Sequence, residues 1–222
     1  MPERSAPHKR EVVKPLSWLD PRVLPFVVFA VVQGTAGAIP IQTIAFIIRD
    51  TLHSSTTDTQ QLTGVALMCS AIASLFAQFV LVQRFKLRTR FLIYAGIIIA
   101  LISNIMIILV VVAPNYGLIA FALVLSGLGF GMLRPAFAAA SSLAVSPDEQ
   151  GAVAGITGGA GASGFIFAPL IGNALYSLNP ALPFILGTVL MMGLLAYMLT
   201  SKSLKDAIMR DNQDVAPPGP PA

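Results

Sequence analysis

Residues 91–112 read FLIYAGIIIALISNIMIILVVV, with no charged side chain from Phe91 to Val112. The run is too long for a strand and matches the about 20 residues that cross a bilayer as a helix. Five more stretches read the same way, at 23–48, 61–82, 117–145, 151–177 and 181–200. None of the six contains Asp, Glu, Lys or His, and Arg134 is their single charge. Composition agrees with that reading. The chain is 55% hydrophobic and 11% charged over 222 residues, whereas soluble domains are about 25% charged. At about 20 apolar residues per span, that hydrophobic content fills roughly six spans and leaves no substantial soluble domain. The expected fold is therefore all-α: a polytopic membrane protein of six transmembrane helices.

The flanks of the 23–200 bundle are polar. A leader, 1–22, carries Arg4, Lys9, Arg10, Lys14 and Arg22 and has no apolar core of the kind a signal peptide needs. The tail, 201–222, ends in Pro217-Pro218-Gly219-Pro220-Pro221, a composition expected to stay disordered. Of the 14 Lys and Arg, five lie in the leader, four in the 83–90 loop (Arg84, Lys86, Arg88, Arg90) and three in the tail. The loops of the opposite side hold only Arg49. Cytoplasmic loops concentrate Lys and Arg, so both termini are expected in the cytoplasm of an inner-membrane protein. The pI near 9.5 is then a topology signal. It gives no ground for a nucleic-acid partner.

The six helices divide into two triplets of opposite topology. Helices 1 and 4 each carry Gly six residues before a mid-span Pro, Gly34…Pro40 and Gly129…Pro135, an offset of 95. Gly64 of helix 2 maps at the same offset onto Gly159 of helix 5. Inverted repeats with interrupted first helices are the building plan of many transporters. The same coincidences also follow from the general frequency of Gly and Pro in membrane helices.

Arg134 is the sharpest single feature. A charge at the centre of a span costs about 2.5–3.5 kcal/mol on translocon scales, which makes it a functional-site candidate. It sits about 16 Å from the cytoplasmic end of helix 4 at 1.5 Å per residue. Side chains tilt toward the helix N-terminus, here the outer side, which disfavours snorkelling back. Pro135 leaves the Gly131 carbonyl without its helical donor, so a structural tie to the backbone competes with a ligand-facing role. In helix 1, Thr35, Gln42 and Arg49 recur every seven residues and share a face, with Gln33 pointing elsewhere. Thr35 and Gln42 are lesser substrate-binding candidates, or interhelical glue. Asn104 in helix 3 has the same two readings.

Small residues form a second pattern. Gly151, Gly155, Gly159 and Ser163 recur every four residues in helix 5, and Ala66, Ser70, Ala73 and Ala77 share a face of helix 2. Such stripes allow close helix approach, either inside the bundle or as an interface with another bundle. Enzyme constellations are missing: His8 and His53 lie outside the spans, Cys69 is the one cysteine, and no nucleotide-binding motif occurs. The chain reads as a non-enzyme, without metal or other cofactor.

The stretch from about 20 to 201 resembles the C-terminal six-helix half of a major facilitator superfamily transporter, nearest the tetracycline-efflux type of drug/proton antiporter. The likeness is carried by Ala77-Gln78-Phe79 before the basic loop, by Ser126-Gly127-Leu128-Gly129-Phe130-Gly131-Met132 with Pro135, and by Asp148-Glu149-Gln150-Gly151 opening a Gly-rich helix with Ala168-Pro169-Leu170. The family's loop motif GxxxDRxGRR departs here: Gln83 takes the acidic position and Lys86 the second Gly, while Arg84 and Arg88 match. That departure bears on any gating salt bridge through the loop.

The resemblance implies that helices 1 and 4 line a central cavity and helices 2 and 5 face the other half. It implies proton-coupled efflux of small organic or drug-like molecules, with the proton-carrying carboxylate in the N-terminal half. Arg134, Gln42 and Thr35 would line the substrate path. The expected partners are a small-molecule substrate, the lipid bilayer, and an N-terminal half or a second copy of the chain. The competing expectation is a transport-incompetent truncated protein or a membrane interaction module.

Overall fold

The computed structural model describes residues 16–85, 87–201 and 204. The leader up to residue 15 and most of the tail lie outside the described residues. Six helices follow one another: α1 (Leu24–Leu52), α2 (Thr56–Phe76), α3 (Thr89–Val112), α4 (Tyr116–Leu143), α5 (Gln150–Leu178) and α6 (Leu182–Thr200). All six are long and apolar enough to cross a membrane. Among the described residues there is no strand. Helices pair most of their backbone N–H and C=O groups within the segment, which hydrocarbon demands.

The helices outrun the apolar stretches at several ends because polar residues cap them. Ser55 starts α2 by accepting from the Asp58 N–H at 3.2 Å, so the helix opens at Thr56 rather than near residue 61. Asn115 starts α4 by accepting from the Leu118 N–H at 3.1 Å. α1 extends to Leu52, taking in Arg49 and Asp50, and closes on His53 in the left-handed region at φ 50°. α2 ends in a π-helical stretch, Ala77–Arg84, that leads into the basic loop. α1, α4 and α5 run on unbroken through Pro40, Pro135 and Pro169.

Packing follows the two-triplet plan. The main pairs are α1 with α5, α2 with α4, α3 with α4 and α1 with α6. Exchanging helices 1–3 for 4–6 converts α1–α5 into α4–α2 and α1–α6 into α4–α3. The arrangement is thus two inverted three-helix repeats, with the first helix of each crossing the second helix of the other. Lipid is as apolar as a helix face, so close van der Waals packing has to hold such crossings. Glycines provide it. A Cβ on Gly34 of α1 would run into the Gly161 backbone of α5, and one on Gly164 into the backbone of Gly34 and Thr35. On the other crossing, a Cβ on Gly127 of α4 would strike the Ser70 carbonyl of α2, and one on Gly131 would lie 2.7 Å from the Ser74 carbonyl oxygen.

The two small-residue stripes therefore part company. Ala66, Ala73 and Ala77 of α2 are buried against the bundle. A methyl on Gly151, Gly155 or Gly159 of α5 would meet nothing within 4 Å. The inward face of α5 is instead Val153, Thr157, Gly164, Ala168 and Gly172.

Polar contacts tie α1 to α5 at both ends and show that the two run parallel. At one end Arg22 donates to both Glu149 oxygens, each at 3.1 Å. At the other the Tyr176 hydroxyl donates to Asp50 Oδ2 at 2.9 Å. Arg22 and the Ser146 hydroxyl and N–H hold the Glu149 carboxyl down to about 2. A carboxyl lowered in this way stabilises the fold above its unfolded value near 4.5, and the gain is lost as pH falls from there toward 2. Both side chains are at the surface, so the effect is small. Melting of the purified protein should drop more steeply between pH 5 and about 3 than that of Glu149→Gln; parallel profiles would remove Glu149 as the cause.

Candidate functional site

A cleft of about 390 Å³ opens between α1, α4 and α5. α1 contributes Ala30, Gln33 and Gly34, and α4 contributes Arg134, Phe137, Ala138 and Ser141. α5 contributes Ala154, Thr157, Gly158, Gly161, Ala162 and Phe165. The α5 wall has mostly Gly and Ala, and this is what leaves the space open. The floor is firm, because Phe137 stacks on Phe29 at 4.5 Å between ring centroids and meets Phe26 at 6.0 Å.

The level of the cleft follows from helix positions. Arg134 stands nine residues before the end of α4 at Leu143, about 14 Å along the axis. Hydrocarbon is about 30 Å thick, so the guanidinium lies near mid-depth. It belongs to the half of the bundle nearer the end that carries Arg22 and the 83–90 loop.

Arg134 is exposed to the cleft. Its guanidinium carbon lies 5.6 Å from the centroid of the Phe130 ring, one turn earlier on α4. Among the described residues it has no ion-pair partner, and the tie to the Gly131 carbonyl is not formed. Gln33 is 6% exposed, and its Nε2 has no hydrogen-bond partner. The other polar groups of the lining are engaged within their own helices: Ser141 donates to the Ala138 carbonyl at 2.9 Å and Thr157 to the Val153 carbonyl at 2.8 Å.

Of the three residues singled out in the sequence, Arg134 alone lines this cleft. Thr35 sits half-buried at the α1–α5 crossing and donates to the Val31 carbonyl at 2.9 Å. Gln42 is half-buried two turns further along α1. Gln33, which the helical wheel turned away from Thr35, is the polar α1 residue of the cleft lining. The available signal was its place beside Gly34, where α1 meets α5. Asn104 is buried against Gly187 of α6, with its Oδ1 unpartnered. Among the described residues no group of three or more His, Cys, Asp or Glu could hold a metal ion.

Six spanning helices, two inverted triplets and a mid-depth cleft between their first helices describe a transporter bundle. The family profile described as Major Facilitator Superfamily matches residues 24–213, from the start of α1 past the end of α6. The chain belongs to the major facilitator superfamily. Among curated proteins, none matches it. As a superfamily member it is a multi-pass membrane transporter. The cleft borders α1 and α4, the first helices of the two repeats.

Proposed function

We propose that the chain is the C-terminal-type half of a proton-coupled exporter of small organic, drug-like molecules, similar to the tetracycline-efflux antiporters. In this reading it works against a second six-helix bundle, from another half or a second copy. Both termini face the cytoplasm of the inner membrane. The observation that carries the reading is the cleft itself, a mid-depth opening beside the first helices of both repeats that holds the bundle's one intramembrane cation. Transporters of this architecture place substrate at the interface of repeats near the midplane and rock one bundle against another around it.

Several features support the details. The concentration of Lys and Arg on one side supports the orientation. The weakly covered α2 and α5, each 17% buried over its spanning window, leave room for a neighbouring bundle. Arg134 would face substrate, and Thr35 and Gln42 would act further along α1. Asp50 and Asp58, the carboxylates within the six helices, sit at the end opposite the cleft. Proton carriage then falls to the other bundle.

Reconstitution tests the proposal. Proteoliposomes containing the chain are loaded with tetracycline, and efflux is followed with and without a pH gradient. The expected result is gradient-accelerated efflux that Gly158→Leu suppresses, since a side chain there has open space and grows into the cleft. Folded dimeric protein that does not move tetracycline would favour the transport-incompetent alternative.

A further inference from the structure

Two side chains of the cleft lining, Arg134 and Gln33, carry donors without partners among the described residues. The Arg134 guanidinium offers five N–H groups in a planar fork and can accept nothing. Gln33 adds an amide Nε2 that is buried and unpartnered. The hydroxyls of Ser141 and Thr157 have already donated to backbone carbonyls. Among the described residues no carboxylate belongs to the cleft lining: at the near end of α5 Glu149 is already paired with Arg22 and Asp148 is exposed, and Asp50 is 16 residues beyond Gly34 on α1, about 24 Å along the axis. A buried amide donor without a partner is costly, and so is an uncompensated charge at membrane depth. A group carrying two or more anionic oxygens can satisfy both at once.

We infer that the Arg134–Gln33 cleft is a binding site for small organic anions, with the guanidinium fork clamping a carboxylate or phosphonate and the Gln33 amide donating to it. The inference rests on reading the cleft as part of the substrate path, and it adds the charge class of what enters. The volume of about 390 Å³ suits a small aromatic or aliphatic acid. Phe165 and Phe137 give its apolar part a surface. A lipid headgroup shares the anionic chemistry, but it belongs at the interface, whereas Arg134 lies near mid-depth.

The test measures binding by equilibrium dialysis on the chain in dodecyl maltoside, using benzoate, phenylphosphonate and the neutral isostere benzamide. At least one anion should bind tenfold or more tightly than benzamide, about what one charge-assisted hydrogen bond adds. Arg134→Gln should weaken the anion about 10- to 100-fold and leave benzamide unchanged. Gln33→Leu should weaken it about threefold to tenfold. If Arg134→Gln does not fold, Gln33→Glu serves instead, because a carboxylate in the same cleft lining should erase anion binding. Equal binding of anion and amide, no anion binding, or anion binding indifferent to Arg134 would overturn the inference. So would displacement confined to added phosphatidylglycerol with the soluble anions inert. Flux is assayed separately. Arg134-dependent anion binding without transport upholds the site and removes the transport reading. Tetracycline efflux without anion preference removes the site and upholds transport.

Discussion

Arg134→Leu is expected to abolish transport while leaving the amount of folded protein unchanged. Removing one member of a desolvated charge pair costs about 2–5 kcal/mol, so a loss of about 30-fold or more in initial rate is expected. The folded state has little to lose. Arg134 makes no ion pair among the described residues, and its stacking over Phe130 at 5.6 Å is worth about 0.5–1 kcal/mol. Against that, an apolar side chain removes an intramembrane charge that costs about 2.5–3.5 kcal/mol to insert. Initial efflux rates in proteoliposomes and melting temperatures in detergent give the two readouts. If both fall together, Arg134 is a structural residue and the substrate-path assignment fails.

The second large effect separates two glycines of one helix. Gly164→Ala should destabilise the bundle by about 1–3 kcal/mol, while Gly155→Ala should leave it unchanged or slightly stabilised. At Gly164 the new methyl would run into the backbone of Gly34 and Thr35, and backbone cannot turn aside as a side chain can. α1 and α5 would have to separate along a crossing that is tied at Arg22–Glu149 and at Asp50–Tyr176. At Gly155 the methyl meets nothing within 4 Å, and replacing a helical Gly by Ala gains about 0.5–1 kcal/mol. Gly34→Ala should behave like Gly164→Ala. Thermal unfolding in detergent decides it. Equal melting temperatures for Gly164→Ala and Gly155→Ala would show that the crossing is looser than described.

How far the chain could be read without its structure depends on which physical signal was in play. The spans were plain, because hydrocarbon tolerates neither charge nor unpaired backbone and so imposes long apolar runs. Arg134 stood out for the same reason. The wall of α5 did not. Its Gly151-Gly155-Gly159 spacing has the form of a packing stripe, yet the contact face is displaced to Thr157, Gly161 and Gly164. Gln33 was hidden likewise, since placing polar residues on one wheel with Thr35 and Gln42 presumes which way α1 faces.

The sequence by itself determined the number of spans, their alternation and the one intramembrane charge, and it offered the triplet symmetry as one of two readings. All of these follow from the transfer of side chains and backbone between water and lipid. Only the tertiary structure decided which face of each helix looks inward. In a bilayer a lipid-facing and a core-facing surface are equally apolar, so no polar stripe marks the outside. The choice rests on shape, on Gly34 meeting Gly161 and Gly127 meeting Ser70. Those contacts brought Gln33 to the same cleft as Arg134.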